Sequence, residues 1–386
     1  MSDNITPQQY RAEMAYMNHE VANLKAQVQE RDRIDPYNPF DNPTEYHHYN
    51  GDYSKISPLI NETGYKIPLE PMKSEKRGIR HYYNIAGFSL LISEILTIAL
   101  FYALIYIFSG VIMFLNPKAD LIAIDDYMRS GSIYMGINMF IFLLCNVGIS
   151  LLGLKLAKIK ISEIFKTTQF TFSKGFQYVF IAIFLQTFSA YISSAIGYII
   201  EECGYTAYVP DGSEGQSTFT GIIVSIIYGC IIAPVTEEFF YRGMLLKLFS
   251  KANQRFGIIF TAFLFGLAHG NIAQFSLGFI VGIFLGHITQ KHNSIIPAII
   301  CHIAVNAKSE ILSHVYDTEY GYIIATAITM SASIFGLIML FDFRLKNKLP
   351  ATTPHQTRRG FTLAVFSIPL MLTVVYQIYN ALTFII

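Results

Sequence analysis

Charged residues are scarce in this sequence. Only 14% of the 386 residues are Asp, Glu, Lys or Arg, whereas 52% are hydrophobic, and tryptophan is absent. The mean hydropathy of +0.39 is far above that of an ordinary soluble domain. The apolar residues also come in runs long enough to span a bilayer. We therefore expect an all-α polytopic membrane protein.

An excess of charge of one sign is also missing. The 28 Lys and Arg residues nearly balance the 27 Asp and Glu residues, and the net charge is +1. No overall field therefore attracts nucleic acid or a strongly acidic partner. The four cysteines contain no CxxC spacing, so that neither a disulfide framework nor a thiolate metal site is indicated. The polar beginning of the sequence is not typical of a cleavable signal peptide.

Residues 1–84 contain no long apolar run, and we assign them to a cytoplasmic N-terminal region. Within them, apolar residues alternate steps of three and four, which is the a/d stripe of a helix. These residues are Met14, Met17, Val21, Leu24 and Val28. The helix either lies against the membrane or its own protein, or self-associates through residues 10–31 as a coiled coil. An irregular linker rich in Asn, Pro and Tyr follows.

Residues 85–386 form the predicted transmembrane domain, which has about nine apolar segments. The segments lie at about 85–115, 131–156, 176–200, 217–249, 257–270, 272–290, 294–314, 320–341 and 361–385. Lys and Arg cluster on alternate flanks, and the loop at 201–216 has none. The positive-inside rule therefore places the N terminus in the cytoplasm and the C terminus outside.

Two segments carry special features. The segment at 257–270 is too short to span a bilayer, and His269-Gly270-Asn271 breaks it. The next segment has Gly278, Gly282 and Gly286 at intervals of four, a small-xxx-small face that favours close helix packing.

Ionisable residues inside lipid-embedded segments are energetically costly, so each of them is a candidate for function. They are Glu94, Glu237, Glu238, Arg242, His269 and His302, with Asn306 as a polar companion. At a rise of about 1.5 Å per residue, Glu238, His269, His302 and Asn306, on three separate helices, fall in one layer roughly 10 Å thick. A shared depth favours a site. Glu94 has no partner motif, and we expect it to be structural.

The spacing of these residues separates their roles. Glu238 and Arg242 are four residues apart on one helix face, where they can form an ion pair. Whether this pair is purely structural stays open. Glu237 lies about 100° around the helix and has no counter-charge there, which makes it the candidate general base. Pro234 and Pro297, upstream of these groups, are expected to kink their helices.

Three motifs lie in order on three of the apolar segments: E-E-x-x-x-R at 237–242, F-x-x-x-H at 265–269 and H-x-x-x-N at 302–306. Together they resemble the CAAX-protease and bacteriocin-processing (CPBP) family of intramembrane proteases. The resemblance covers about residues 175–315, which we take as the protease-like core. It implies a helical core with a cavity open to the cytoplasm, where a peptide bond is hydrolysed.

The resemblance also implies residue roles by position. Glu237 would be the general base that activates water, and His269 would help to hold that water. His302 and Asn306 would bind the developing oxyanion. A separate pair, Glu238 and Arg242, would brace the helix.

The sequence is compatible with a mechanism that uses a metal ion and with one that does not. The family is often described as metalloproteases, and Glu237, His269 and His302 could supply three ligands to zinc. However, H-E-x-x-H is absent. The same residues also suffice for a metal-free glutamate mechanism.

Two other function classes also stay open: a proton-coupled transporter, and a non-catalytic bacteriocin-immunity or scaffold protein. A transporter would usually show an internal repeat, and none is evident. The expected partners are a peptide or protein substrate and the lipid bilayer, without nucleic acid. The substrate would be either the C terminus of a prenylated protein or a bacterial peptide, and the expected location is a bacterial plasma membrane.

Overall fold

The computed structural model describes residues 8, 14–23, 71–118, 120–129, 131–167, 170–207, 219–316, 318–347 and 354–385. The regular elements in these ranges are all helices. Residues 14–23 are helical, as predicted, and Met14, Met17 and Val21 are exposed on this helix. Leu24, Val28 and the expected linker lie outside the described residues.

Eleven further helices follow over the described ranges. They are α1 (Pro71–Leu115), α2 (Leu121–Arg129), α3 (131–156), α4 (Phe172–Glu202), α5 (219–249), α6 (Gln254–Leu267), α7 (Ile272–His292), α8 (Ile296–Tyr316), α9 (Gly321–Lys346), α10 (Pro354–Val365) and α11 (Ile368–Leu382). A π-helical segment, Leu143–Val147, interrupts α3, and two more, Ile226–Ile232 and Phe239–Leu245, interrupt α5.

The helices confirm an all-α polytopic membrane protein. Six of those described are long and apolar enough to cross a membrane. They lie in α1, α3, α4, α5, α7 and α9. Helix α6 has 14 residues and falls short of a full span, as expected. At 21 residues α8 is longer, but its polar residues keep it out of the six.

The two ends of the transmembrane region differ from the expectation. Helix α1 begins at Pro71 and has 45 residues, so it is about 67 Å long and extends well beyond a bilayer core of about 30 Å. The segment expected at 361–385 is two helices, α10 and α11. They are separated because Ser367 is extended and Pro369, in the first turn of α11, lacks the N–H that a continuous helix requires.

The glycine face of α7 sets how closely the helices approach. A Cβ atom at Gly278 would lie 2.9 Å from the Cα atom of Gly266, and one at Gly282 would lie 3.1 Å from the Cβ atom of Ala262. Helix α7 therefore packs against α6 at backbone distance, as its small residues predicted. Helix α7 also packs against α4, and α8 packs against both α4 and α5.

The π-helical segments surround the polar centre of α5. The short α-helical stretch Ala233–Glu238 lies between the two π-helical segments, with Pro234 in its first turn. Proline cannot donate a backbone hydrogen bond, and π-helical turns often mark functional sites. The expected kink at Pro297 is absent, because this proline is the second residue of α8, where its missing N–H has no helical partner to lose.

Candidate active site

Glu238 and Arg242 form a fully buried ion pair on α5. Arg242 Nη1 donates to Glu238 Oε1 at 2.7 Å, and the two side chains are 1% and 0% exposed. Arg242 Nη2 also reaches the carbonyl oxygen of Gly282 on α7, at 3.5 Å. The pair therefore links α5 to the close-packed α7, which is the bracing contact that the i, i+4 spacing allows.

His302, on α8, lies between the two glutamates. Its Nδ1 atom is 2.9 Å from Glu238 Oε1, and its Nε2 atom is 3.8 Å from Glu237 Oε2. Since a carboxylate paired with a guanidinium acts only as an acceptor, we assign the Nδ1 proton to the bond with Glu238. The Nε2 atom is thereby turned towards Glu237. Glu238 thus orients His302 as well as neutralising Arg242.

Glu237 and His269 line one cavity of about 260 Å³. Unlike its neighbour Glu238, the Glu237 side chain is 17% exposed. Besides these two residues, the wall has contributions from α1, α3, α5 and α6: Leu90, Ser93, Glu94, Thr97, Phe142, Asn146, Phe240, Tyr241, Phe265 and Ala268. A carboxylate and an imidazole therefore share a small cavity, lined by both polar and apolar side chains, inside an apolar helix bundle.

The end of α6 fixes the orientation of His269. Its Nδ1 atom is 2.8 Å from the carbonyl oxygen of Phe265. A carbonyl only accepts, so Nδ1 carries the proton and Nε2 is the nitrogen left for another partner. Gly270, which follows the turn at the end of α6, has φ +71, a left-handed conformation that suits glycine.

Phe265 packs against three of the charged or titratable groups. Its ring lies 4.3 Å from the Arg242 guanidinium carbon, as in a cation–π contact. The His269 and His302 rings meet it edge-on, with centroids 4.9 Å and 5.7 Å away. The phenylalanine of F-x-x-x-H is therefore the apolar spacer that holds both imidazoles in place.

Asn306 makes a backbone contact. Its Nδ2 atom donates to the carbonyl oxygen of Gly229 at 2.8 Å. In the π-helical register, the donor to this carbonyl would be the N–H of residue 234, five residues on, but that residue is proline. Asn306 supplies the hydrogen bond that Pro234 cannot, and it is not on the cavity wall.

The motifs of α5, α6 and α8 thus come together in space, except for Asn306. Glu237, Glu238, Arg242, His269 and His302 form one connected group around Phe265. Asn306 lies one helical turn beyond His302 on α8, where it contacts the π-helical segment of α5 instead of this group.

Sequence reasoning missed the part of the cavity lining that comes from α1 and α3. Glu94, expected to be structural, faces the same cavity as Glu237, together with Ser93 and Thr97 of α1 and Asn146 of α3. Two signals were available. The polar residues of α1 recur at helical spacing, and Glu94 follows Arg80 by 14 residues, a depth of about 21 Å that matches the other candidates.

The donor atoms do not form a metal site in this structure. Among the described residues, no three His, Cys, Asp or Glu side chains are arranged to hold a metal ion. Glu237, His269 and His302, which could supply three zinc ligands, therefore do not converge on one point. The nitrogen that each histidine uses in a described hydrogen bond is Nδ1.

A known protein family matches the central part of the chain. Residues 219–308, which include α5, α6, α7 and the first part of α8, match the family described as Type II CAAX prenyl endopeptidase Rce1-like. Over these residues, the match agrees with the resemblance to the CPBP/CAAX protease family that the three motifs carry, and it indicates a membrane endopeptidase in general terms. Neither the curated proteins nor the solved structures contain a match to the chain.

Proposed function

We propose that this chain hydrolyses peptide bonds of membrane-associated proteins or peptides with water activated by Glu237. The observation that carries the proposal is the contrast between the two adjacent glutamates. Glu238 is buried and paired with Arg242, whereas Glu237 opens into a cavity that it shares with His269. A carboxylate that pairs with no Lys or Arg among the described residues, beside an imidazole and room for water, is suited to general-base catalysis.

The geometry supports the following sequence of events. Water held between Glu237 and the Nε2 atom of His269 gives a proton to Glu237 while its oxygen attacks the scissile carbonyl carbon. The new oxyanion then needs a hydrogen-bond donor. His302, when doubly protonated, keeps its Nδ1 bond to Glu238 and offers Nε2–H on the side of Glu237.

We also propose that Asn306 helps to stabilise the oxyanion. The resemblance gives it a share in binding the oxyanion, and its amide lies one helical turn from His302. In the described state, the amide donates to Gly229. A direct role would therefore require the amide to leave that carbonyl when substrate binds.

A metal ion is the alternative to water activated by Glu237 alone. Zinc would polarise the water and the scissile carbonyl, and it would require Glu237, His269 and His302 to rearrange into a ligand set. Removal of metal tests this directly. We expect cleavage to survive complete chelation, and activity that is lost on chelation and restored by zinc would establish a metalloenzyme.

We further propose the substrate class and location. The family match favours CAAX-type C termini, and bacteriocin-like peptides are the second class that the motif resemblance suggests. The cavity is expected to open to the cytoplasm of a bacterial cell, with the N terminus on the same side and the C terminus outside.

Comparison of cell membranes that contain the wild type or Glu237→Ala tests the function even when the substrate has not been identified. Uncleaved precursors should accumulate with the variant while its expression stays normal. A non-catalytic scaffold would give identical peptide profiles. A transporter would lose uptake of a solute without accumulation of any precursor.

A further inference from the structure

The residues that line the cavity have two origins. Glu237 and His269 belong to the segment that matches the family, whereas Ser93, Glu94 and Thr97 of α1 and Asn146 of α3 lie outside that segment. On α1, the residues that line the cavity are Leu90, Ser93, Glu94 and Thr97. Their spacing of three, one and three places them on one helix face. The proposed function does not use this second carboxylate.

Glu94 is held by one neutral partner. Gln377 Nε2, on α11, donates to Glu94 Oε1 at 2.7 Å, and this is the carboxyl group's only hydrogen bond to a described residue. Glu94 also forms no ion pair with a described residue. A carboxyl group within the membrane region normally has a charged partner or a function. Glu94 lacks the partner and faces the cavity.

Gln377 is suited to hold either protonation state of Glu94. The residue is 3% exposed, and its Oε1 atom is buried with no hydrogen-bond partner in the part of the chain that the structure describes. The amide NH₂ group donates to a carboxylate, whereas the amide oxygen accepts from the O–H of a carboxylic acid. A half-turn of the amide therefore exchanges the two arrangements. The unpartnered Oε1 is the acceptor that a protonated Glu94 would use.

We infer that Glu94 is the general acid of the reaction and protonates the leaving nitrogen. The inference rests on the proposed function, in which Glu237 takes the first proton. The water oxygen bonds to the carbonyl carbon, and its proton passes to Glu237. When the C–N bond breaks, its electron pair takes the proton of Glu94. The Glu237 proton then returns through cavity water to Glu94, so that protons balance and no co-reactant is needed.

The leaving group provides a specific test. An amine must be protonated to leave, whereas an alkoxide from an ester leaves far more readily without an acid. Cleavage rates are measured in lipid nanodiscs for the wild type and three variants, Glu94→Gln, Glu94→Asp and Glu237→Gln. The substrates are internally quenched peptides with a farnesylated C-terminal CAAX sequence, and the same peptides with an ester in place of the scissile amide. Glu310→Gln, a carboxyl-to-amide change on α8 outside the cavity, is the matched control.

The account predicts different losses for the two substrates. Glu94→Gln should lower kcat for the amide by about 10²- to 10⁴-fold, the usual contribution of a general acid, and should largely spare the ester. It should also remove the alkaline limb of the pH–rate profile, and Glu94→Asp should restore part of the amide rate. Glu237→Gln should abolish cleavage of both substrates, and Glu310→Gln should change neither.

Other results would overturn the inference. Equal loss of amide and ester cleavage in Glu94→Gln would make Glu94 a structural residue, and an unchanged amide rate would give it no role. Both results leave the proposed function intact, provided that Glu237→Gln is inactive. If Glu237→Gln retains wild-type rates, the proposed function fails, and the role of Glu94 fails with it.

Discussion

Two adjacent glutamates on α5 have different surroundings, and this difference determines what each can do. Glu238 is 0% exposed and accepts from both Arg242 and His302, whereas Glu237 faces a cavity. A buried ion pair contributes little net stability, but removal of one partner leaves the other charge buried and unpaired. Stability should therefore depend on Glu238, and chemistry on Glu237.

Glu238→Gln should reduce the free energy of unfolding by about 3–5 kcal/mol, because the Arg242 charge would lose its carboxylate. Thermal unfolding in detergent measures the loss. Glu237→Gln, the same chemical change one residue earlier, is the control and should unfold close to the wild-type temperature. Equal melting temperatures for the two variants would contradict the assigned roles.

Asn306 has a testable structural contribution. Asn306→Ala should lower the free energy of unfolding by about 1–3 kcal/mol, because the Gly229 carbonyl would lose its donor. Asn306→Asp keeps the shape but also lacks the N–H group, and it should be at least as unstable. If both variants melt at the wild-type temperature and lose only activity, the Gly229 contact is unimportant and the oxyanion role is favoured.

At the scale of elements, the short helix α6 and the glycine face of α7 place His269. A Cβ atom at Gly278 would be 3.5 Å from His269 Nδ1 and 2.9 Å from the Gly266 backbone. The close approach of the two helices thus determines both the packing and the position of the imidazole. Substitution of this glycine should affect stability and activity together.

Gly278→Ala should cost about 1–3 kcal/mol of stability, because the contact with Gly266 is with backbone and cannot be relieved by a side-chain rotation. Gly286→Ala is the matched control on the same face, since its Cβ atom would be 3.3 Å from a side-chain methyl group of Ile258. The melting temperature and the cleavage rate should both fall more in Gly278→Ala than in Gly286→Ala. The reverse order would show that α6 and α7 do not pack as described.

For the whole molecule, the orientation in the membrane can be tested with a native cysteine. Cys203 is exposed after α4, in the region expected outside the cell, whereas Cys145, Cys230 and Cys301 are buried. A membrane-impermeant maleimide should label intact cells through Cys203, and Cys203→Ser should abolish the labelling. Labelling that requires permeabilised cells would reverse the proposed topology.

Much of the fold and part of the site could be predicted from the sequence, for physical reasons. Apolar runs determine membrane helices, and the i, i+4 spacing of Glu238 and Arg242 places them on one face regardless of tertiary structure. The contact of His302 with Glu238 and the position of Glu94 depend on how separate helices pack. Since one sequence offers no record of such packing, Glu94 looked like an isolated acid.

The break of the last segment and the role of Asn306 were hidden for a related reason. Both depend on a proline whose effect is decided by its place in the helix. Pro369 lies in the first turn of α11, whereas Pro234 deprives the Gly229 carbonyl of its π-helical donor, which Asn306 replaces. Proline marks a disturbance in the sequence, but the group that compensates for it is known only from the folded chain.

The central claim is that Glu237 activates the hydrolytic water. The most direct measurement is the single-turnover cleavage rate of a quenched membrane peptide by purified wild type and Glu237→Gln in the same nanodiscs, after matched melting temperatures have been verified. The account predicts a loss of at least about 10²-fold in the variant. Cleavage by Glu237→Gln at the wild-type rate would contradict it.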